Sequence, residues 1–240
     1  MAGFFDQLFI YDPMSVTWAA TGIITLCVLI ILIKTPEYSK EKIILFWITA
    51  LTAIFTTLYL AGGTIHDNLS SATGGPVHWH ADFRIFSSGK ELNLADPVGL
   101  SNRIGTPEVH EHNDSRIHAE GTLKKLEEAS LGGFFKAIGG QLAADRISLP
   151  TNDGMIDFKN GDRCQGGSPG TLQVFLWETK NGNAEQRKVN DFVSYVISPE
   201  PLIPPGDCVI FEFDFPKAKT EYICEQYEVA EKRGDIRIIR

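Results

Sequence analysis

Pro76 to Phe86 reads PVHWHADFRIF. From Ala81 onward apolar and polar residues alternate, and the turn-forming SSGKE (Ser87–Glu91) and a short LNL follow. Period-two alternation interrupted by a Gly-containing turn is the mark of a β-hairpin. On a strand, side chains at i and i+2 point to one face. His78 and His80 therefore share a face, with Trp79 opposite. Val109 to Gly121, VHEHNDSRIHAEG, behaves the same way. It reads as two short strands around the polar turn NDSR, with His110 and His112 on one face and His118 folding back beside them.

These two segments hold every histidine of the chain except His66. Neutral imidazole is the commonest protein ligand for zinc and copper. Three or four such nitrogens complete a tetrahedral zinc site or a tetragonal copper site. His78, His80, His110, His112 and His118 are accordingly the candidate ligands of one copper or zinc ion. Asp82, Glu111, Asp114 and Glu120 lie near enough in sequence to orient the rings. The cluster has no Met or Cys, which suits Cu(II) or Zn(II) better than Cu(I). Two other uses of such a cluster stay open: a pH sensor, whose protonated rings would repel one another below about pH 6, and ordinary structural hydrogen bonding. His66 reads as a ring at a membrane exit.

Working outward, Ser130 to Gly140, SLGGFFKAIGG, predicts a short helix capped by Ser130, with Leu131, Phe134, Phe135 and Ile138 as its apolar stripe. Asn152 to Gly170 is rich in Asp-Gly, Asn-Gly and Gly-Gly pairs and reads as loop. TLQVFLWE, FVSYVI and CVIFEFDF read as strands, the first broken by the Asn-Gly turn in TKNGN and the last two separated by the proline-rich PEPLIPPGD. The tail from Tyr222 is charged and fits either a helix or a strand. The sum is an α+β domain over 76–240, β-rich and antiparallel, with one short helix.

Upstream the chain changes character. Pro13 to Ile33 contains no charged residue, and Ile43 to His66 contains no Asp, Glu, Lys or Arg. Each run exceeds the roughly 18–20 apolar residues that cross a bilayer core about 30 Å thick. Two transmembrane helices are expected, 13–33 and 43–66, with a polar linker at 67–75. The flank MAGFFDQLFIYD carries two Asp and no Lys or Arg, so the first run reads as a retained anchor and not as a cleaved signal. The connection 34–42 carries Lys34, Lys40 and Lys42. The positive-inside rule then places that connection in the cytoplasm, and segment 1–12, both termini and the large domain outside it, in a two-pass cell-membrane protein. Trp18 and Tyr59 fall toward the outer helix ends, where interfacial aromatics collect. Small and hydroxylated residues (Ala19, Ala20, Thr21, Gly22; Thr49, Ala50, Thr52, Ala53) offer packing faces for the helices of other membrane protein subunits.

A formal charge of −8 with no basic stripe argues against a nucleic-acid partner. No zincin, α/β-hydrolase or phosphate-loop motif is present, so no catalytic residue is assigned. An enzyme would need a metal-activated water with Glu111 or Glu120 as base. Cys27 reads as a small filler in the first helix. Cys164, Cys208 and Cys224 allow at most one bridge, with Cys208–Cys224 and pairs involving Cys164 both open.

The domain resembles a poorly characterised family of membrane-anchored, extracytoplasmic prokaryotic proteins. The likeness rests on His78-Trp-His80-Ala, His110-Glu-His112-Asn with His118, Ser130-Leu-Gly-Gly-Phe-Phe135 and Gly206-Asp-Cys-Val209, and runs from about Val77 to Phe213. The family often has an Asp-Gly turn before its last His; this chain keeps the hydrophobic Ile117 but not the glycine. The resemblance implies a domain identity and no particular reaction. The expected function is that of a membrane-anchored metal-binding protein, either a carrier or a metal-bearing subunit. The alternative is a non-catalytic accessory subunit of a larger membrane complex.

Overall fold

The computed structural model describes residues 9–34, 39–164, 167–199 and 205–239. The chain divides into two units at Ser70/Ser71.

The first unit is a helix pair. α1 spans Pro13–Lys34 and α2 spans Ser39–Ser70. Asp12 caps α1, its Oδ2 accepting the Ser15 N–H at 3.0 Å, and Pro13 takes the first helical position, where a missing N–H leaves nothing unsatisfied. Mean hydropathy reaches 2.5 in α1 and 2.1 in α2, and both are long and apolar enough to cross a membrane. Helix α2 extends past His66 to Ser70, so the first part of the stretch read as linker is helical. The hydroxyls of Thr17, Thr21, Thr56, Thr57 and Thr64 all donate to the carbonyl one turn back, which satisfies them within their own helix. Cys27 is buried, as a filler should be.

The second unit is built on β1 (Val77–Ser87), β2 (Lys90–Leu92), β3 (Ile104–Gly105), β4 (Val109–Glu111), β5 (Arg116–Gly121), α3 (Leu131–Ala137), β6 (Gln141–Ala143), β7 (Arg146–Thr151), β8 (Gly154–Lys159), β9 (Thr171–Lys180), β10 (Asn183–Val189), β11 (Cys208–Asp214), α4 (Glu225–Arg233) and β12 (Arg237–Ile238). The main sheet runs β12-β10-β9-β11-β1-β5-β4-β3, with β2 also on β1. β1 is its hub. The first half of β1 pairs antiparallel with β5. The second half pairs parallel with β11 and antiparallel with β2.

Strand alternation divides the sheet into two unlike faces. Ala81, Phe83, Ile85, Ile117, Val209 and Phe211 enter the larger core with Phe134 and Phe135 of α3. Phe86, Phe175, Trp177 and Ile210 point the other way and are covered by α4 through Tyr227. The hydroxyl of Tyr227 donates toward the carbonyls of Trp177 and Gly206. A disulfide joins Cys208 to Cys224, tying β11 to the start of α4, while Cys164 is buried and free.

The α+β class stands, with several differences from the sequence reading. The described part of this unit holds two α-helices, α3 and α4, not one. The tail forms both a helix and a strand, since Gly234 adopts a left-handed φ of 82° that ends α4 and turns the chain into β12. Part of the 152–170 stretch is β8, which pairs with β7 in a separate three-stranded sheet. Phe192–Ile197, expected as a strand, is irregular: its carbonyls at Val193 and Tyr195 accept the N–H groups of Gly132 and Leu131 at 2.9 Å. It completes the first turn of α3 instead of joining a ladder. The sheet is also mixed, because β1–β11 and β10–β12 are parallel.

Candidate metal centre

The face of β1 that carries Phe86 under α4 carries His78 and His80 at its other end. The register sets them against β5: His78 faces Glu120 and His80 faces His118. On the far side of β5, His118 faces His110 of β4. His80, His118 and His110 thus form one row across three adjacent strands, and same-face residues on neighbouring strands are in contact distance. His112 follows directly after β4.

The rings touch in sequence. Centroid distances are 4.5 Å for His78–His80, 4.8 Å for His80–His118, 4.9 Å for His112–His118 and 4.6 Å for His110–His112. His110 and His118 stack nearly parallel at 5.5 Å. All five expected residues come together, but not around one point. Their ligand atoms fall into two sets, His78, His80, His118 and Glu120, and His110, His112 and His118, each with all atoms within 4.8 Å of one another.

Hydrogen bonds fix the ring tautomers. His110 Nδ1 lies 3.1 Å from the Thr106 carbonyl and His112 Nδ1 lies 2.5 Å from the Asn102 carbonyl. A carbonyl only accepts, so both Nδ1 atoms carry the proton and both Nε2 atoms present a lone pair. His118 is the reverse: its Nε2 donates to Asp114 Oδ2 at 3.0 Å. That leaves the Nδ1 lone pair, which is buried and has no hydrogen-bond partner. A buried acceptor without a donor is costly unless something electron-poor occupies it. An imidazole-rich donor set with one such orphaned nitrogen fits a metal ion.

Burial pushes His80 down to about 4, with His118 and His78 adding to the effect. His110 is lowered for the same first reason, then by His112 and His118. Lowered imidazoles stay neutral and ligating into mildly acid solution.

The four acids read as ring supports divide. Glu120 Oε1 is 2.8 Å from His78 Nε2 and 3.7 Å from His118 Nδ1, and its Oε2 is 4.0 Å from His110 Nε2. Asp114 holds His118. Asp82 pairs instead with Arg116 at 2.7 Å. Glu111 alternates to the opposite face of β4, where its Oε1 accepts the N–H groups of Asp114 and Ser115 and closes the turn. That removes Glu111 as a candidate base beside an ion. A groove of about 460 Å³ lined by Asp82, Glu91, Asp114, Glu225 and Glu228 adjoins the cluster at Asp114.

The Thr106 and Asn102 carbonyls were not foreseeable, since their role depends on backbone position and no side-chain type signals it. His66 lies in the helix pair, outside both sets. No family model matches this chain, and no curated protein or solved structure is detectably similar to it.

Proposed function

We propose that this is a membrane-anchored metal-binding protein whose second unit carries copper or zinc outside the cytoplasm, as a carrier or a metal-bearing subunit, and that the resemblance noted in its histidine segments reflects a shared metal-binding domain. The observation that supports this best is the buried Nδ1 of His118, which makes no hydrogen bond, at the meeting point of four other imidazoles. His78, His80, His110, His112 and His118 would hold the ion. Glu120 and Asp114 would set ring orientation and offset its charge, and the carbonyls of Thr106 and Asn102 would fix the two Nδ1 protons. The ion would supply strong Lewis acidity; the chain's part is to present neutral imidazoles in a fixed array.

The test is elemental analysis of full-length protein purified from membranes without chelator or affinity metal. Stoichiometric copper or zinc is expected. A preparation with neither, that also takes up neither when supplied, would refute the proposal. Chains that co-purify in the same preparation would support the subunit alternative.

A further inference from the structure

The five imidazoles form two sets that share one residue. We infer that these are two alternative coordination sets for a single divalent transition-metal ion, an exposed one and a buried one, and that His118 hands the ion between them. The inference rests on the metal-binding proposal and adds a direction of traffic to it.

The shared residue offers only one nitrogen. His118 Nε2 is committed to Asp114, so Nδ1 is the atom available to either set, and one nitrogen lone pair binds one ion. Two ions at once could not both hold His118 unless its Nε2 let go of Asp114. The sets also differ in access. The His78 side chain is 66% exposed, while His110 is 2% exposed. His78 and His80 with Glu120 therefore form the side that meets solvent or a donor, and His110 with His112 forms the inner side. The sets adjoin: Glu120 reaches His78 and His118 with Oε1 and approaches His110 with Oε2. An ion held by His118 changes sets by exchanging His78 and His80 for His110 and His112 one nitrogen at a time. Imidazole nitrogens leave as others bind, so the ion keeps its oxidation state and no proton is gained or lost. Both sets are built mainly on imidazole nitrogens, with the Glu120 carboxylate added to the exposed one, so neither is a deep trap relative to the other. That is what a carrier needs in order to release its cargo.

The experiment uses the full chain in detergent, metal-free, titrated with Cu(II). Bound metal is counted after desalting, the copper environment is read by electron paramagnetic resonance, and release is timed against a chelator. One ion per chain is expected for the wild type. The pair His78→Ala/His80→Ala and the pair His110→Ala/His112→Ala should each still bind one ion, with different spectra. His118→Ala should bind none at concentrations that saturate the wild type. Loss of the exposed set should slow release on the order of tenfold, about 1.4 kcal/mol in the barrier, because the ion then lacks the set that meets solvent. Two ions in the wild type, identical spectra in the two paired variants, retention of the ion by His118→Ala, or unchanged release from the exposed-set variant would each overturn the inference. Because His110 is buried, His110→Gln/His112→Gln replaces the alanine pair if circular dichroism shows the latter unfolded. No ion in the wild type would instead strike down the metal-binding proposal itself.

Discussion

His80 on β1 and His118 on β5 are direct cross-strand partners, their rings 4.8 Å apart and nearly perpendicular at 88°. That geometry places an edge of one imidazole against the face of the other with no room for a bulky side chain between. It depends on register: a slip of one residue would carry His80 to the face now held by Ala81 and Ile117 in the core. The cluster is thus secured by the same alternation that fills the hydrophobic core, and damage to either is expected to reach the other.

Glu120 is the carboxylate most central to the cluster, touching His78 and lying near His118 and His110. Replacing it with Gln keeps the shape and removes the charge. Metal affinity should fall by about 10–100-fold, measured by competition with a chelator of known strength, while the thermal midpoint of the metal-free protein stays close to wild type. An unchanged affinity would show that Glu120 neither ligates nor orients.

Gly105 tests how the buried histidine is positioned. Its φ is +116°, and a Cβ there would sit 2.5 Å from the Val109 carbonyl and 2.9 Å from the His110 Cα. Gly105→Ala must strain β3 or push β4 aside, at about 1–3 kcal/mol. We expect a lower denaturation midpoint together with weaker metal binding. A control such as Gly74→Ala also strains a positive φ, but meets no neighbouring atom, and should leave metal binding alone.

The Cys208–Cys224 bridge closes a short loop between β11 and α4. Removing it by a double Ser substitution should cost roughly 3 kcal/mol, seen as a lower denaturant midpoint. The contact between Arg84 and Ile223 loosens first, because Arg84 Nη1 donates to the Ile223 carbonyl just before the bridge. The metal count per folded chain should not change, since neither cysteine belongs to a ligand set. The reducing agent dithiothreitol applied to the wild type should reproduce the stability loss.

The faces of the site were legible in the sequence, but its division was not. H-x-H on an alternating strand states which residues share a face, and this held for His78 and His80 and for His110 and His112. Register was invisible, because the turn that sets it, Asn113–Ser115, reaches left-handed φ values of 65° and 56° at Asn113 and Ser115 without a glycine to announce them. β8 escaped notice because Met155, Asp157 and Lys159 are exposed and only Ile156 and Phe158 face inward, which gives a thin apolar signal amid turn residues. Phe192–Ile197 misled in the opposite sense. Its apolar residues do enter the core, but its backbone serves the start of α3, and hydrophobicity alone does not say where carbonyls go.

The two apolar helices raise a separate question, on which side of a membrane the histidines lie. Lys34, Lys40 and Lys42 cluster between the helices, and no basic residue precedes Pro13, so the large domain is expected outside. Protease added to intact cells should cleave it, and an impermeant amine reagent should label its lysines. Protection until the membrane is broken would reverse the topology.

Acid response supplies the last test. The folded chain holds His80 near 4, below the roughly 6.5 of an unfolded imidazole. Between those values the unfolded chain binds the proton that the folded chain refuses, so lowering pH favours unfolding. His110 is shifted in the same direction. The metal-free domain should therefore be most stable above pH 6.5, lose stability as pH falls through 6.5, and level off for His80 once pH passes below about 4. Denaturant titrations across this range are the measurement. His80→Gln, which cannot take up the proton, should flatten part of the slope. With copper or zinc bound, the same decline should begin at lower pH, because metal and proton compete for one lone pair and the metal binds only the folded array.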